Sequence, residues 1–402
     1  MMRELRYDAV VVGAGPAGSV TAWELAKRGV KVLVLEKRQE IGAPKRCAEG
    51  INAIGLRQID LKPDRRWIAQ EVSGCVLYSP SGKKLVIRPE LGLKGYILER
   101  KVFEKYLAAE AIKAGARYLV KTTVTDVIKD GAGAVTGVKA DSMGEELTVR
   151  AKLVIAADGV DSMTAKRAGL DTVNKLGDYH SGFQYEMAGV KADESMLHLF
   201  FGRKVAPKGY AWIFPKGNTM ANVGIGILGT ESADGSRAKE LLDRFIAENP
   251  SFFSGASPIE ANGGGIPVSA APKAFVGDGI MAVGDAAQQV NPIHGGGISL
   301  AMGAAKIAAS VAADAIAAGD TSRGRLKEYE SRWYEADGNR MRRLFKLRSF
   351  VEKLDDGELE KLAGILDGED ILELMSSTNM GLLKALARKA PTLLPLAKKF
   401  LE

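Results

Sequence analysis

The 402-residue chain carries 56 Lys+Arg against 49 Asp+Glu, a formal net charge of +7, with 46% hydrophobic and 26% charged residues. That balance fits one large or two interlocked folded domains and excludes a disordered or fibrous chain, while the mild positive excess suits an anionic partner or plain solubility. Two cysteines (Cys47, Cys75) and three scattered histidines (His180, His198, His294) cannot build a thiolate or imidazole metal motif, so no metal is expected.

In chain order, Tyr7 to Val12 reads as a buried parallel strand, Ala17 to Arg28 as a helix ended by Gly29, and Lys31 to Leu35 as a second apolar strand. Val72 to Tyr78 and Lys84 to Ile87 then flank Ser79-Pro80-Ser81-Gly82, a hairpin signal foreign to a continuing parallel series. A helix at about Arg100 to Lys113 and strands at Arg117 to Lys121 and Leu153 to Ala157 return to the α/β pattern. Strands follow at Gly182 to Val190, Met196 to Phe201, Ala211 to Phe214 and Ala221 to Leu228, the last two joined across Pro215-Lys216-Gly217-Asn218. From Gly279 a strand, loop and long helix resume the first pattern, and the chain from about Thr321 is helical and charged.

The predicted fold class is α/β: a discontinuous Rossmann-like nucleotide domain, an inserted antiparallel-sheet domain and a C-terminal helical region. The expected segments are 1-70, 96-170 and 275-320 for the first, 71-95 and 171-274 for the second, and 321-402 for the third. No charged-then-apolar leader precedes Tyr7, which argues against secretion. The most apolar long stretch, Ile298 to Ala318, is broken by Lys306 and Asp314 and reads as a helix that does not span a membrane.

Gly13-Ala14-Gly15-Pro16-Ala17-Gly18 stands where a strand turns into a helix. There Gly13 makes the turn, Gly15 admits a pyrophosphate to the backbone, and Gly18 lets helix and strand approach. Glu36, ending the second strand, is placed to accept hydrogen bonds from a ribose. Asp158-Gly159 and Gly284-Asp285 each end a strand, and Gly295-Gly296-Gly297 opens a helix. Such a carboxylate can hold ribityl hydroxyls, and amides at a helix start can face the pyrimidine side of an isoalloxazine, so the expected cofactor is FAD. Tyr210, Trp212 and Phe214 share one strand face at period two, which suits either a long apolar substrate or an aromatic core stripe.

The N-terminal glycine fingerprint, the Asp158-Gly159 element and the Gly284-Asp285 element followed by Pro292, in that order, resemble the p-hydroxybenzoate-hydroxylase-like flavoproteins. Within that superfamily the sequence is similar to the archaeal geranylgeranyl reductases, the digeranylgeranylglycerophospholipid reductases. The closer likeness rests on Gly42-Ala43-Pro44-Lys45-Arg46-Cys47-Ala48-Glu49-Gly50, on Gly209 to Gly217, and on Asn291-Pro292-Ile293-His294-Gly295-Gly296-Gly297. It covers residues 1 to about 320, and the C-terminal helices match only in character.

The resemblance implies that Ala17 and Glu36 contact the FAD phosphate and ribose, and that Cys47, Ala48 and Gly50 lie along the flavin. It further implies that Arg100 reaches the phosphates, that Val124 (or its neighbours Thr123 and Thr125) flanks the adenine, and that Asp285, Gly296, Gly297 and Ile298 hold the ribityl chain and ring. Tyr210, Trp212 and Phe214 would wall an isoprenoid tunnel. Cys47 and His294 are the candidate acids, with Lys45 and Arg46 expected to lower the thiol pKa; a lone cysteine is more often a small packing residue, and His294 reads as well as a loop residue satisfied by backbone.

The implied activity is saturation of geranylgeranyl C=C bonds on archaeal glycerolipids. The sequence holds no second nucleotide fingerprint, so electrons are expected from a visiting NAD(P)H, a ferredoxin or another reduced carrier. A flavin monooxygenase or halogenase and a non-enzymatic prenyl-binding protein are the rival readings; a quinone-linked dehydrogenase would bring an iron–sulfur site that two cysteines cannot build. Basic residues at Arg340, Arg342, Arg343, Lys346 and Arg348, and again between Gly381 and Leu401, suit either a membrane surface or a solvated helical cap. The expected location is cytoplasmic, peripheral on the inner face of the cell membrane, with no nucleic-acid partner.

Overall fold

The computed structural model describes residues 3–92 and 94–376, with Lys389 and Pro391 beyond them. The basic stretch between Gly381 and Leu401 therefore lies, Lys389 apart, outside the described residues.

One sheet has the strand order Val276–Gly277, Ile280–Ala282, Glu145–Ala156, Arg3–Val12, Val32–Leu35, Arg117–Leu119. Four of the five pairings in this order are parallel, the exception being Val276–Gly277 with Ile280–Ala282. Val32–Leu35 is buried at every position, as a strand covered on both faces by helices must be. The first helix, Pro16–Lys27, packs against Arg100–Lys113 and Ile298–Ala317. The last of these is apolar and long enough to cross a membrane by composition. Its alanines, among them Ala301, Ala305, Ala308 and Ala312, are instead buried in the core, where a small-residue face permits close helix approach.

The strand predicted from Leu153 in fact starts at Glu145. Its first half joins Thr122–Lys129 and Val135–Ser142 in an antiparallel meander, where buried positions such as Thr122, Val124 and Val127 are interleaved with solvated ones, as in a sheet with one face in water.

The second sheet runs Ser257–Pro267, Tyr179–Ala188, Met220–Leu228, Tyr210–Gly217, Met196–Phe200, Gly74–Tyr78, Lys84–Ile87. Two expectations shift here. The strand read as Gly182 to Val190 spans Tyr179–Ala188, and the turn read at Pro215 to Asn218 falls at Asn218 and Thr219, which take positive φ of 52° and 60°. Asn tolerates that left-handed conformation, so Pro215 and Lys216 stay in the strand. Ser257–Pro267 contains Gly263-Gly264-Gly265, turn chemistry by composition, yet pairs along the whole Tyr179–Ala188 strand.

One face of this sheet buries Ile213, Val223, Ile225 and Ile227 beneath the helix Ala238–Glu248. A small sheet of Gly50–Asn52, Gly95–Leu98 and Ile68–Val72 lies between the two larger ones in chain order. Helices Arg323–Trp333, Asn339–Val351, Asp356–Ile365 and Gly368–Ser376 follow the long helix. The molecule is thus an α/β protein with a Rossmann-like sheet, an antiparallel sheet and C-terminal helices.

Candidate functional site

The glycine turn separates its three glycines by physical role. Gly13 takes φ +102°, and a Cβ there would meet the Ala157 carbonyl oxygen at 2.3 Å; a Cβ on Gly18 would meet the Gly13 carbonyl oxygen at 1.9 Å. Packing alone explains both. Nothing lies within 4 Å of a Cβ built on Gly15, which lines a large cavity. Glu36 accepts hydrogen bonds from the Ala14 N–H (2.8 Å) and the Arg38 N–H (2.9 Å), so it braces the turn from the end of the second strand. Val124 is buried in the neighbouring strand, with its carbonyl accepting from Arg167, and neither it nor Glu36 lines the cavity.

The cavity, about 870 Å³, is lined by Gly15, Ala17, Cys47, Ala48, Gly50, Arg100, Asp285, Gly296, Gly297 and Ile298, and also by Tyr210, Trp212 and Phe214. Its far end is apolar: Cys75, Leu85, Leu197 and Leu199 from the second sheet face Leu359, Leu362, Leu366 and Leu372 from the C-terminal helices. A single row across the sheet shows how the wall is graded. Strand register aligns Leu77, Leu199, Trp212, Gly224, Gln184 and Asn262, so the surface passes from aliphatic through aromatic and bare backbone to amide. Tyr210, Trp212 and Phe214 contact one another in sequence at ring-centroid separations of 5.7 and 6.5 Å. They occupy the cavity face of the sheet, opposite its Ile213 core.

Behind the segment Lys45 to Gly50 lies a charge cluster that the sequence did not announce. Lys216 Nζ stands 3.0 Å from Glu49, 3.2 Å from Glu186 and 3.0 Å from Glu99, and Lys45 Nζ contacts Glu49 (3.2 Å) and Glu186. Lys45, Glu49 and Lys216 are buried, and Glu49 takes φ +71°, a left-handed conformation unusual for its residue type. Burial opposes the charge on Glu49, but Lys216 and Lys45 outweigh it and hold the carboxyl below its usual range. Burial pulls Lys45 below the ordinary lysine range. The period-two pattern through Lys216 was the available signal, masked by the turn expected there.

That cluster corrects one expectation. Lys45 turns its ammonium into the cluster, and burial pushes the half-buried Cys47 thiol up; the opposing pull comes chiefly from Arg100. Cys47 Sγ accepts the Glu49 N–H at 3.1 Å. His294 is exposed on the cavity side, and the protein around it lowers its pKa below the ordinary histidine value. Its Nδ1 accepts the Gly296 N–H at 3.1 Å, which leaves the proton of the neutral ring on Nε2, and its carbonyl accepts the Tyr210 hydroxyl at 2.6 Å. At neutral pH it is an imidazole donor, not the imidazolium acid that a free histidine would partly supply.

The donor set fits a dinucleotide carrying polyol and phosphate groups. Asp158 accepts the Thr164 N–H on one oxygen while its other, buried oxygen has no partner, and burial raises its pKa. Asp285 faces the cavity, its carboxyl also pushed up by burial against the pull of Arg100. A Cβ on Gly297 would meet an Asp285 carboxylate oxygen at 3.0 Å, so the carboxylate sits at the mouth of the long helix. Among the described residues no group of three or more His, Cys, Asp or Glu could hold a metal ion.

Residues 178–266 match the family model for the geranylgeranyl reductase catalytic domain, and residues 11–48 match the NAD(P)-binding Rossmann-like domain. The digeranylgeranylglycerophospholipid reductase of Methanothrix thermoacetophila is 42% identical over 97% of this chain and 98% of its own. That of Methanocaldococcus jannaschii is 43% identical over 100% of both. A geranylgeranyl bacteriochlorophyll reductase-like crystal structure from Thermoplasma acidophilum superposes with a TM-score of 0.90 at 38% identity, covering 99% of this chain and 100% of that one. A flavin-dependent brominase superposes at 0.73 with 21% identity, covering 92% and 93%, which is a likeness of fold alone.

Proposed function

The chain belongs to the digeranylgeranylglycerophospholipid reductase family, and from that premise we propose that it is an FAD-dependent reductase that saturates C=C bonds of geranylgeranyl chains on archaeal glycerophospholipids. The observation that carries this reading is the continuity of one cavity from Gly15 and Asp285, at the nucleotide turn, to an aliphatic basin under the C-terminal helices. A cofactor's reactive ring and a long hydrocarbon chain can meet only in such a space.

Gly15, Ala17, Glu36, Arg100 and Val124 are the residues proposed to hold the nucleotide and pyrophosphate, and Cys47, Ala48, Gly50, Asp285, Gly296, Gly297 and Ile298 the ribityl chain and ring. The bound flavin, when reduced, supplies hydride equivalents for the alkene. Tyr210, Trp212 and Phe214 exclude water and lay the chain along the wall, which matters because an isolated alkene is a poor acceptor in water. The raised thiol pKa keeps Cys47 protonated at Sγ, so it can hold the proton an alkene carbon must gain, whereas neutral His294 would have to become an imidazolate to give up its Nε2 proton and serves as a hydrogen-bond donor instead.

We assign residues 1-70, 96-170 and 275-320 to the cofactor domain, 71-95 and 171-274 to the substrate domain and 321-402 to the helical region. The lipid substrate motivates a peripheral place at the inner face of the cell membrane, with electrons from NAD(P)H, ferredoxin or another reduced carrier. The test is anaerobic: the purified protein, yellow with flavin, is reduced with dithionite and mixed with an unsaturated archaeal glycerophospholipid. Mass gains in pairs of hydrogens are expected. A colourless protein, or a lipid left unchanged under nitrogen, refutes the proposal; turnover only with oxygen supports the monooxygenase reading instead.

A further inference from the structure

The residue row that grades the cavity wall contains a gap with a purpose. Gly224 lies between Trp212 and Gln184 in register, and a Cβ there would meet Trp212 Cζ2 at 2.4 Å. The missing side chain lets the indole lie across the middle strand and donate from Nε1 to Gln184 Oε1 at 2.9 Å. Gln184, 3% exposed, donates in turn from Nε2 to the Cys47 carbonyl (3.0 Å) and to Asn222 Oδ1 (3.2 Å). Asn222 closes the circuit by donating to the Ala48 carbonyl (3.1 Å) and to Glu49 (2.8 Å).

We infer that Gln184, reaching Trp212 through the Gly224 gap, is a positioning residue that fixes the aromatic wall relative to the Cys47-Ala48 segment, and so fixes which alkene meets the reacting face. This deepens the proposed function and rests on it for its catalytic consequence. One buried amide satisfies a donor from the substrate wall and an acceptor on the cavity segment, and either left alone would be a buried unpaired group. The charge cluster supplies the anchor: Lys45 and Glu49 bracket Cys47 at two residues on either side and are both tied to Glu186 or Asn222 of the second sheet. A misplacement of about 1 Å between wall and reacting face costs on the order of a hundredfold in rate.

Two arms of one experiment test this on the flavin-loaded full chain. Gln184→Met keeps the volume but can bond neither partner. Its first readout is the alkylation rate of Cys47 by a maleimide, read by peptide mass spectrometry; a several-fold rise is expected, with Cys75 unchanged. The second is turnover of the unsaturated lipid, where kcat falls at least about tenfold at nearly constant KM. Products also shift towards partly saturated chains. In a double variant with Trp212→Phe the loss is no larger than in the worse single variant, because both act through one contact. An unchanged Cys47 alkylation rate overturns the positioning role. So does a loss of turnover that tracks the loss of flavin and melting temperature with the product pattern unaltered. Faster alkylation combined with a wild-type protein that leaves the lipid untouched upholds the positioning role and defeats the lipid-reductase reading.

Discussion

Gly15 and Gly18 stand three residues apart in one motif, and the structure gives them opposite reasons to be glycine. At Gly18 an added methyl meets the Gly13 carbonyl oxygen, so Gly18→Ala is expected to cost about 1–3 kcal/mol of stability whether or not a cofactor is present. At Gly15 φ is −69° and the space is open, so Gly15→Ala should leave the apoprotein's stability within about 0.5 kcal/mol of the parent. Its FAD affinity should fall by at least about tenfold, because the methyl occupies the approach to the backbone amides. Denaturation of the apoproteins and FAD titration check both halves, and the reverse pattern would contradict the assignment of Gly15 to the cofactor. Such residues were legible in the sequence because backbone geometry dictates their type. The setting of Cys47 was not: its basic neighbour Lys45 is two residues away in sequence, but its ammonium is held by Glu186 from a strand far along the chain.

At the scale of elements, strands with strong apolar patterning were readable and those built on exceptions were not. Tyr210–Gly217 keeps pleat alternation through Pro215, and Ser257–Pro267 pairs through a glycine run, because tertiary pairing overrides local turn preference. The helix Asn339–Val351 shows the same limit. Its basic residues suited either a membrane surface or a solvated helical cap, yet Arg348 is 5% exposed. Its guanidinium donates to the Val268 and Gly177 carbonyls and pairs with Glu352 at 2.6 Å, tying the C-terminal helices to the second sheet. Burial pushes Glu352 up despite the arginine, so the carboxylate needs that partner to stay charged. Arg348→Met is therefore expected to cost about 2–3 kcal/mol, the penalty of leaving a half-buried carboxylate and two carbonyls without their partner. Hydrogen exchange should quicken in residues 339–376 while the strand Arg3–Val12 keeps its protection. Equal exchange in both forms would show that the helices are held elsewhere.

At the scale of the whole molecule, the two sheets have separate cores and meet around the cavity, whose wall draws Gly15 and Asp285 from one and Trp212 and Gln184 from the other. Sequence order made the interruption of the first sheet visible. It could not show that the inserted sheet turns its graded face towards the nucleotide turn, since that depends on how two finished layers pack. A ligand filling this space binds only the assembled form, so its binding energy adds directly to folding stability. FAD at a hundred times its dissociation constant should contribute about 2.7 kcal/mol. For a chain this long, with unfolding entropy growing in proportion to residue number, that raises the melting midpoint by about 3 °C. Because wall residues from both sheets enclose the same volume, hydrogen exchange should slow together in Arg3–Val12 and in Tyr210–Gly217. Protection gained by the first strand alone would place the cofactor on the Rossmann-like sheet without contact to the aromatic wall, and would separate FAD binding from the lipid site proposed beside it.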